Sequence, residues 1–129
     1  MNHSVSQLVT SLKNGQMAKK ERVVTPSSKL KLSILKILKE DGFIKDYRTS
    51  NNGSFDSIEV VLAYNGLQSV IREIKVISKP GRRVYSSVEN IPIVHNGLGV
   101  ILLSTPMGIM TDYDARRLKV GGELLLKIF

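Results

Sequence analysis

The chain contains no cysteine. That excludes disulfides, a thiol nucleophile and a thiolate zinc site. It has no tryptophan and only two histidines, His3 and His95, too few for a recognisable metal cluster. No apolar run approaches the roughly 20 residues of a membrane-spanning helix. The longest, such as Val100 to Leu103, is strand-sized. The N-terminus lacks an apolar signal core and an Arg-rich transit segment, which predicts a chain that is cytoplasmic, made inside an organelle or already processed. Acidic residues are scarce as well: 11 against 19 basic ones, a formal charge of +8. Solvation alone does not need that excess, which points to a polyanionic partner, nucleic acid or an acidic membrane. What remains is ordinary. The 129 residues are 42% hydrophobic and 23% charged. This predicts one domain, or two small lobes sharing an interface, with enough core to fold unaided.

Apolar spacing places the first elements. Val5, Leu8, Val9 and Leu12 make one helical stripe over 4–14, with Ser4 and Gln7 as a capping box and Gly15 just past the end. A short β-type run, Arg22 to Thr25, stops at Pro26. Pro26-Ser27-Ser28 opens the clearest helix, which ends near Asp41 before Gly42. Leu30, Ile34, Leu35, Ile37 and Leu38 share one arc of it, and Lys29, Lys36 and Lys39 the other. Lys31 falls at the edge of the apolar arc, where a long stem can snorkel its charge to water. Phe43 to Thr49 and Ile58 to Tyr64 read as a hairpin turned at Asn51-Asn52-Gly53, and Asn65-Gly66 as the boundary between lobes.

The second half is mostly extended. Val70 to Ser78 alternates with apolar residues on both faces, so one face should meet the first lobe. Lys79-Pro80-Gly81-Arg82-Arg83 is a basic turn, Val84-Tyr85 resumes extended chain, and Ser86 with Glu89 suits a brief helical turn. Strands are expected at 100–104 and 109–111, with the turn Thr105-Pro106-Met107-Gly108 between them. Asp112 suits the N-cap of a helix reaching Lys119. Gly121-Gly122 breaks it before a last strand, Glu123 to Phe129. The predicted fold is α+β in two lobes. Residues 1–66 form a basic helix-strand-helix-hairpin lobe, and residues 67–129 a mostly β lobe with short helices.

Patterns for catalysis are missing. Gly97-Leu98-Gly99 starts like a dinucleotide fingerprint, but Leu102 replaces the third glycine and a strand follows where a helix is required. Asp112 and Asp114 sit at a helix start, where carboxylates oppose the helix dipole. His95 has no paired carboxylate in sequence. No nucleophile, base and orienter come together, so no catalytic residue, metal, cofactor or small-molecule substrate is expected. A small enzyme built on Asp112, His95 and Glu123 would need a cleft joining the three.

Charge and turns point elsewhere. Residues 1–48 carry ten basic and four acidic residues, and residues 49–129 nine and seven. The first lobe should therefore supply most of the long-range attraction to phosphate. Lys79, Arg82 and Arg83 project from a turn, which favours phosphate contact over a merely solvated surface. Ser104 and Thr105 end a strand directly before a Pro-Met-Gly turn. Small hydroxyl groups on a rigid turn can reach ribose 2′-OH groups in the wide, shallow minor groove of RNA. The glycine corners at Gly108 and Gly121-Gly122 suggest close backbone approach to something large, although ordinary tight turns use the same residues.

These residues also carry a resemblance. The chain is similar over nearly its full length to small ribosomal subunit protein eight of bacteria and organelles. The matching stretches include Leu12-Lys13-Asn14-Gly15, Pro26-Ser27-Ser28-Lys29-Leu30-Lys31, Glu40-Asp41-Gly42-Phe43-Ile44 and 77–85. The most specific is Ser104-Thr105-x-x-Gly108-x-Met110-Thr111-Asp112-x-x-Ala115-Arg116, followed by Gly121-Gly122-Glu123. The resemblance implies a non-enzymatic protein that binds the central domain of small-subunit ribosomal RNA early in assembly and touches neighbouring ribosomal proteins. It implies RNA contacts at Ser104, Thr105, Gly122, Glu123 and nearby Tyr85. In the first lobe it implies Lys29, Lys31, Lys13 and Asn14. Where relatives have Ser or Asn and then a basic residue after the threonine, this chain has Pro106-Met107. Where many have cysteine in the last strand, it has Leu126. These departures lean toward a mitochondrial or alphaproteobacterial version, with the mitochondrial ribosome favoured slightly over the bacterial cytoplasm. The alternative is a DNA-binding or other architectural protein using the same basic surfaces. A cationic helix at 28–41 lying on a membrane is disfavoured, because its apolar face is needed to cover the sheet.

Overall fold

The structure, a computed structural model, describes residues 3–52 and 55–129. Helix α1 (His3–Met17) is followed by β1 (Arg22–Pro26), α2 (Lys29–Glu40), β2 (Ile44–Asn52) and β3 (Phe55–Leu62). Strands β1, β3 and β2 make an antiparallel sheet in that order. The apolar stripes predicted for the two helices, including Val5, Leu8, Leu12, Ile34, Leu35 and Leu38, are buried in one cluster with Ile58, Val60 and Leu62 of β3. Burial of side chains this size stabilises by about 1.5–3 kcal/mol each. Helix α2 starts where Ser28 accepts a hydrogen bond from the Lys31 amide at 3.1 Å, and it stops at Asp41 before Gly42, whose φ is +82°. This face of the helix is thus occupied by the protein's own sheet, as expected.

The α1 expectation needs correction. The helix runs two residues past Gly15, and Gly15 is a contact residue, not a stop. A Cβ there would lie 2.3 Å from Cγ1 of Val23, so the bare backbone is what lets β1 pack on the helix. The predicted hairpin turn also shifts. Asn51 and Asn52 belong to β2, and Gly53 lies outside the described residues.

A small hairpin, β4 (Tyr64–Asn65) and β5 (Gln68–Ser69), stands at the joint placed after residue 66. The second sheet holds β6 (Ile74–Val76), β10 (Gly122–Ile128), β8 (Val100–Thr105) and β9 (Gly108–Thr111) in that order, with β7 (Tyr85–Ser86) also pairing β10. The long strand expected at 70–78 is shortened to β6, because the Arg72 and Glu73 amides turn aside to the Phe129 carbonyl. A bulge between Leu124 and Leu126 in β10 exchanges the faces of the strand. Leu124 joins Leu103, Met110 and Ala115 in a second cluster, while Leu126 and Ile128 join the first. The first cluster also takes Ile71, Ile74, Val100 and Leu102, so one face of the second sheet packs directly on the first half of the chain. Among the described residues the result is an α+β fold with a three-stranded sheet, a five-stranded sheet, the small β4–β5 hairpin and a core cluster shared by both halves of the chain.

Helix α3 (Asp112–Leu118) is capped by Thr111, whose hydroxyl accepts from the Asp114 amide, and not by Asp112. Asp112 is buried, ion-paired with Arg116 at 2.8 Å, and accepts from the Ile101 amide. The helical turn expected from Ser86 and Glu89 is a 3₁₀ turn at Val88–Asn90. Ser86 itself lies in β7 and donates to the Ser87 carbonyl. Tyr113 donates its hydroxyl to the Asp41 carboxylate at 2.8 Å, which ties α3 to the end of α2.

Candidate nucleic-acid interface

Strand register assembles the predicted residues at one end of the second sheet. Glu123 pairs Tyr85 on one side and Ser104 on the other, and Ser104 pairs Ile109. Paired residues share a face. The row Tyr85, Glu123, Ser104 and Ile109 therefore lies on the face that meets the first half of the chain further along, at Leu102 and Leu126. Tyr85 is 66% exposed and Ser104 half-buried. Among the described residues neither side-chain hydroxyl has a hydrogen-bond partner. The result is a shelf carrying one aromatic ring and one free alcohol.

Thr105 differs from its neighbour. Only 9% exposed, it donates its hydroxyl to the Gly108 carbonyl at 2.8 Å and accepts from the Met107 amide at 3.1 Å. Its hydroxyl locks the turn that projects Pro106 and Met107. This corrects the picture of two equivalent alcohols facing outward. Gly108, at φ +118°, supplies the backbone the turn requires.

The double glycine also has an internal cause. A Cβ on Gly121 would lie 2.3 Å from the Ser86 carbonyl oxygen, and one on Gly122 2.2 Å from that of Ser104. The large body these glycines approach is the protein's own backbone, where β10 passes between β7 and β8. Glu123 is held by Arg83 at 3.2 Å, so the one carboxylate in the row is neutralised within the fold. Arg83 is thereby committed to Glu123 more than to solvent.

The basic residues separate into distinct places. Lys13, Lys79 and Arg82 line a groove between α1 and the second sheet, together with Lys75, Ser6 and Thr10, which the sequence reading missed. Spacing alone could have found part of it, because Ser6, Val9, Thr10 and Lys13 lie at i, i+3, i+4 and i+7 on one helix face. Asn14 is exposed beside Lys13 but not in the groove, and Lys29 is exposed at the start of α2. Lys31 is the clear correction. It is 1% exposed and does not snorkel. Its ammonium donates to Gln7 Oε1 at 2.6 Å, Thr25 Oγ1 at 2.8 Å and the Pro26 carbonyl at 2.8 Å. Burial holds its pKa below the usual lysine value. The wheel position is right, but α1 and β1 close over it.

The enzyme arrangement does not assemble. Asp112 is committed to Arg116, Glu123 to Arg83, and His95 stacks on the Phe129 ring at 3.9 Å.

The profile of the family described as Ribosomal protein S8 matches residues 3–129. The chain belongs to that family. Small ribosomal subunit protein uS8 of Bradyrhizobium sp. (strain ORS 278) is 51% identical over 126 residues, covering 97% of this chain and 96% of the relative. The protein of that name from Rhodopseudomonas palustris (strain BisA53) is 50% identical, and that from Afipia carboxidovorans 48%, each over the same shares of both chains. The matched family is one of ribosomal proteins. The named relatives are bacterial, so the sequence-based preference for a mitochondrial ribosome finds no support among them.

Proposed function

We propose that the chain is a structural component of the small ribosomal subunit that binds the central domain of its ribosomal RNA and promotes assembly beside neighbouring ribosomal proteins. Family membership supports the ribosomal role, and the names of the relatives give the subunit. The observation that carries RNA binding is the shelf: an exposed Tyr85 ring and an unpartnered Ser104 hydroxyl, with Glu123 already neutralised by Arg83. Tyr85 supplies a stacking surface for an unpaired base. Ser104 can donate to or accept from a ribose 2′-OH, which DNA lacks. Thr105, Gly108 and the close-packed Gly122 fix the geometry of the corner. Lys29, Lys79 and Arg82 supply phosphate attraction, and Lys31 acts from inside by holding α1, β1 and α2 together. Residues 1–66 and 67–129 serve as the two lobes of one RNA-facing body. Binding favours the folded RNA junction by differential affinity, so no chemical step is required. The nearest compartment supported by the relatives is a bacterial-type ribosome.

The test is a competition between a transcribed central-domain fragment and duplex DNA of equal charge. Preference for the transcript, reduced about tenfold by Ser104→Ala, is expected. Equal affinity for the DNA would assign the basic surface to a general architectural role instead.

A further inference from the structure

An asparagine followed by glycine can rearrange without an enzyme. The glycine backbone nitrogen attacks the asparagine side-chain carbonyl carbon, and glycine has no side chain to obstruct the approach. Three such pairs lie among the described residues: Asn14-Gly15, Asn65-Gly66 and Asn96-Gly97. The fold treats them differently. Asn14-Gly15 lies inside α1, where the Asn14 and Gly15 carbonyls accept from the Ala18 and Lys20 amides and Gly15 is buried against Val23. A helical backbone cannot rotate its nitrogen onto the side chain without giving up such bonds. Asn96-Gly97 is exposed, but the Gly97 amide donates to the Val94 carbonyl at 3.0 Å, so the nucleophile is occupied. Asn65-Gly66 has neither restraint. Asn65, Gly66, Leu67 and Gln68 are all exposed. Asn65 pairs Gln68 across a two-residue turn, which leaves the Gly66 amide outside the ladder and without a hydrogen-bond partner among the described residues. The Asn65 side chain has none among them either. Gly66 takes the positive φ of such a turn, +69°, and nothing lies within 4 Å of where its Cβ would be.

We propose that Asn65 is a site of spontaneous deamidation, the one Asn-Gly pair of these three that the folded chain leaves open to irreversible modification. Hydroxide removes the Gly66 amide proton, the nitrogen bonds to Cγ of Asn65, and the side-chain nitrogen leaves as ammonia. The five-membered imide then takes up one water. Water at the side-chain carbonyl breaks the new bond and gives aspartate. Water at the main-chain carbonyl breaks the original peptide bond and gives isoaspartate, whose chain runs through Cβ and is one carbon longer. Either product puts a carboxylate where the amide was. The consequence falls on the joint after residue 66. Its hairpin is fastened to the end of α1 by Lys19 Nζ, which donates to the Leu67 carbonyl at 2.6 Å, by Ser69 Oγ, which donates to Gln16 Oε1 at 2.7 Å, and by the Tyr64 hydroxyl, which donates to the Lys20 carbonyl. Turn length sets hairpin register, so an extra backbone carbon at position 65 cannot keep both the Asn65–Gln68 pair and a two-residue turn. The isoaspartyl hairpin therefore loses its register, and with it the bond from the Val70 amide to the Ala63 carbonyl, 3.0 Å in the native chain.

The full chain is incubated in mildly alkaline buffer made with heavy-oxygen water, returned to ordinary water, digested, and mapped by mass spectrometry against synthetic aspartyl and isoaspartyl peptides. Heavy oxygen should enter position 65 about tenfold faster than position 96, which must first open locally, and should not enter position 14. In denaturing urea the three positions should converge on one rate. Asn65→Gln, which would need a six-membered ring, should lose the label at 65 and leave position 96 unchanged. The isoaspartyl fraction, separated by chromatography, should exchange its Val70 amide hydrogen faster than the native chain. A folded chain in which position 96 or 14 takes up label as fast as 65, or in which 65 reacts only in urea, overturns the proposal. Label persisting at 65 in Asn65→Gln also overturns it, and so does an isoaspartyl fraction whose Val70 amide exchanges at the native rate.

Discussion

Replacing Lys31 separates an internal role from a surface one. Three hydrogen bonds of 2.6 to 2.8 Å converge on its ammonium from α1, β1 and the end of β1. Each bond to a charged donor contributes on the order of 1.5–3 kcal/mol. Against them stands the penalty of taking an ammonium out of water with no carboxylate partner, several kcal/mol. Lys31→Met keeps the stem and removes both contributions. The Gln7 and Pro26 residues are exposed enough to turn to water, leaving the buried Thr25 hydroxyl as the main orphan. The expected loss is therefore about 1–2 kcal/mol, within the range for one unsatisfied buried group. Lys31→Ala adds a cavity and should lose about 2–5 kcal/mol. Urea denaturation measures both. The pH dependence has a definite sign. Because burial lowers the folded pKa, the unfolded chain binds more protons between that value and 10.5, and native stability rises with pH through this window. Lys31→Met lacks that rise, so its deficit against the native chain should widen as pH increases. The salt dependence of RNA binding should stay unchanged in Lys31→Met. A variant of native stability with a flatter salt dependence would refute the buried position of this charge.

Three further outcomes follow from the same geometry. Thr105→Val removes the hydroxyl that bonds the Gly108 carbonyl and Met107 amide, and should lose about 1–2 kcal/mol in thermal or urea unfolding; unchanged stability would show that the turn holds without it. Gly122→Ala forces a methyl to within 2.2 Å of the Ser104 carbonyl oxygen, and should destabilise by about 1–3 kcal/mol or more, with altered chemical shifts at Ser104 and Thr105. Glu59 has its pKa lowered, first by the hydrogen bond from Arg48, with Arg22 adding to it. Its contribution is present above the unfolded carboxylate value and is lost as pH falls through the folded one, so Glu59→Gln should make acid unfolding less steep.

Sequence alone settled what depends on near neighbours along the chain. The apolar stripes at Val5 to Leu12 and Leu30 to Leu38, the Ser28 start of α2 and the strand around Leu102 follow from period and capping, which act within a few residues. The family was legible in the ordered motifs around Ser104 and Gly121. Only tertiary structure decided the rest. Whether Lys31 reached water depended on α1 and β1, which the wheel of α2 does not contain. Gly15 read as a helix stop because its contact, Val23, approaches from another element. Ser104 and Thr105 looked alike until strand pairing placed them on opposite faces and turned one hydroxyl inward. The four-cation groove joins positions 13 and 75 to 82, a closeness created by packing α1 on the second sheet. Local preference is written in adjacent residues, whereas burial and convergence are properties of segments that meet only after folding.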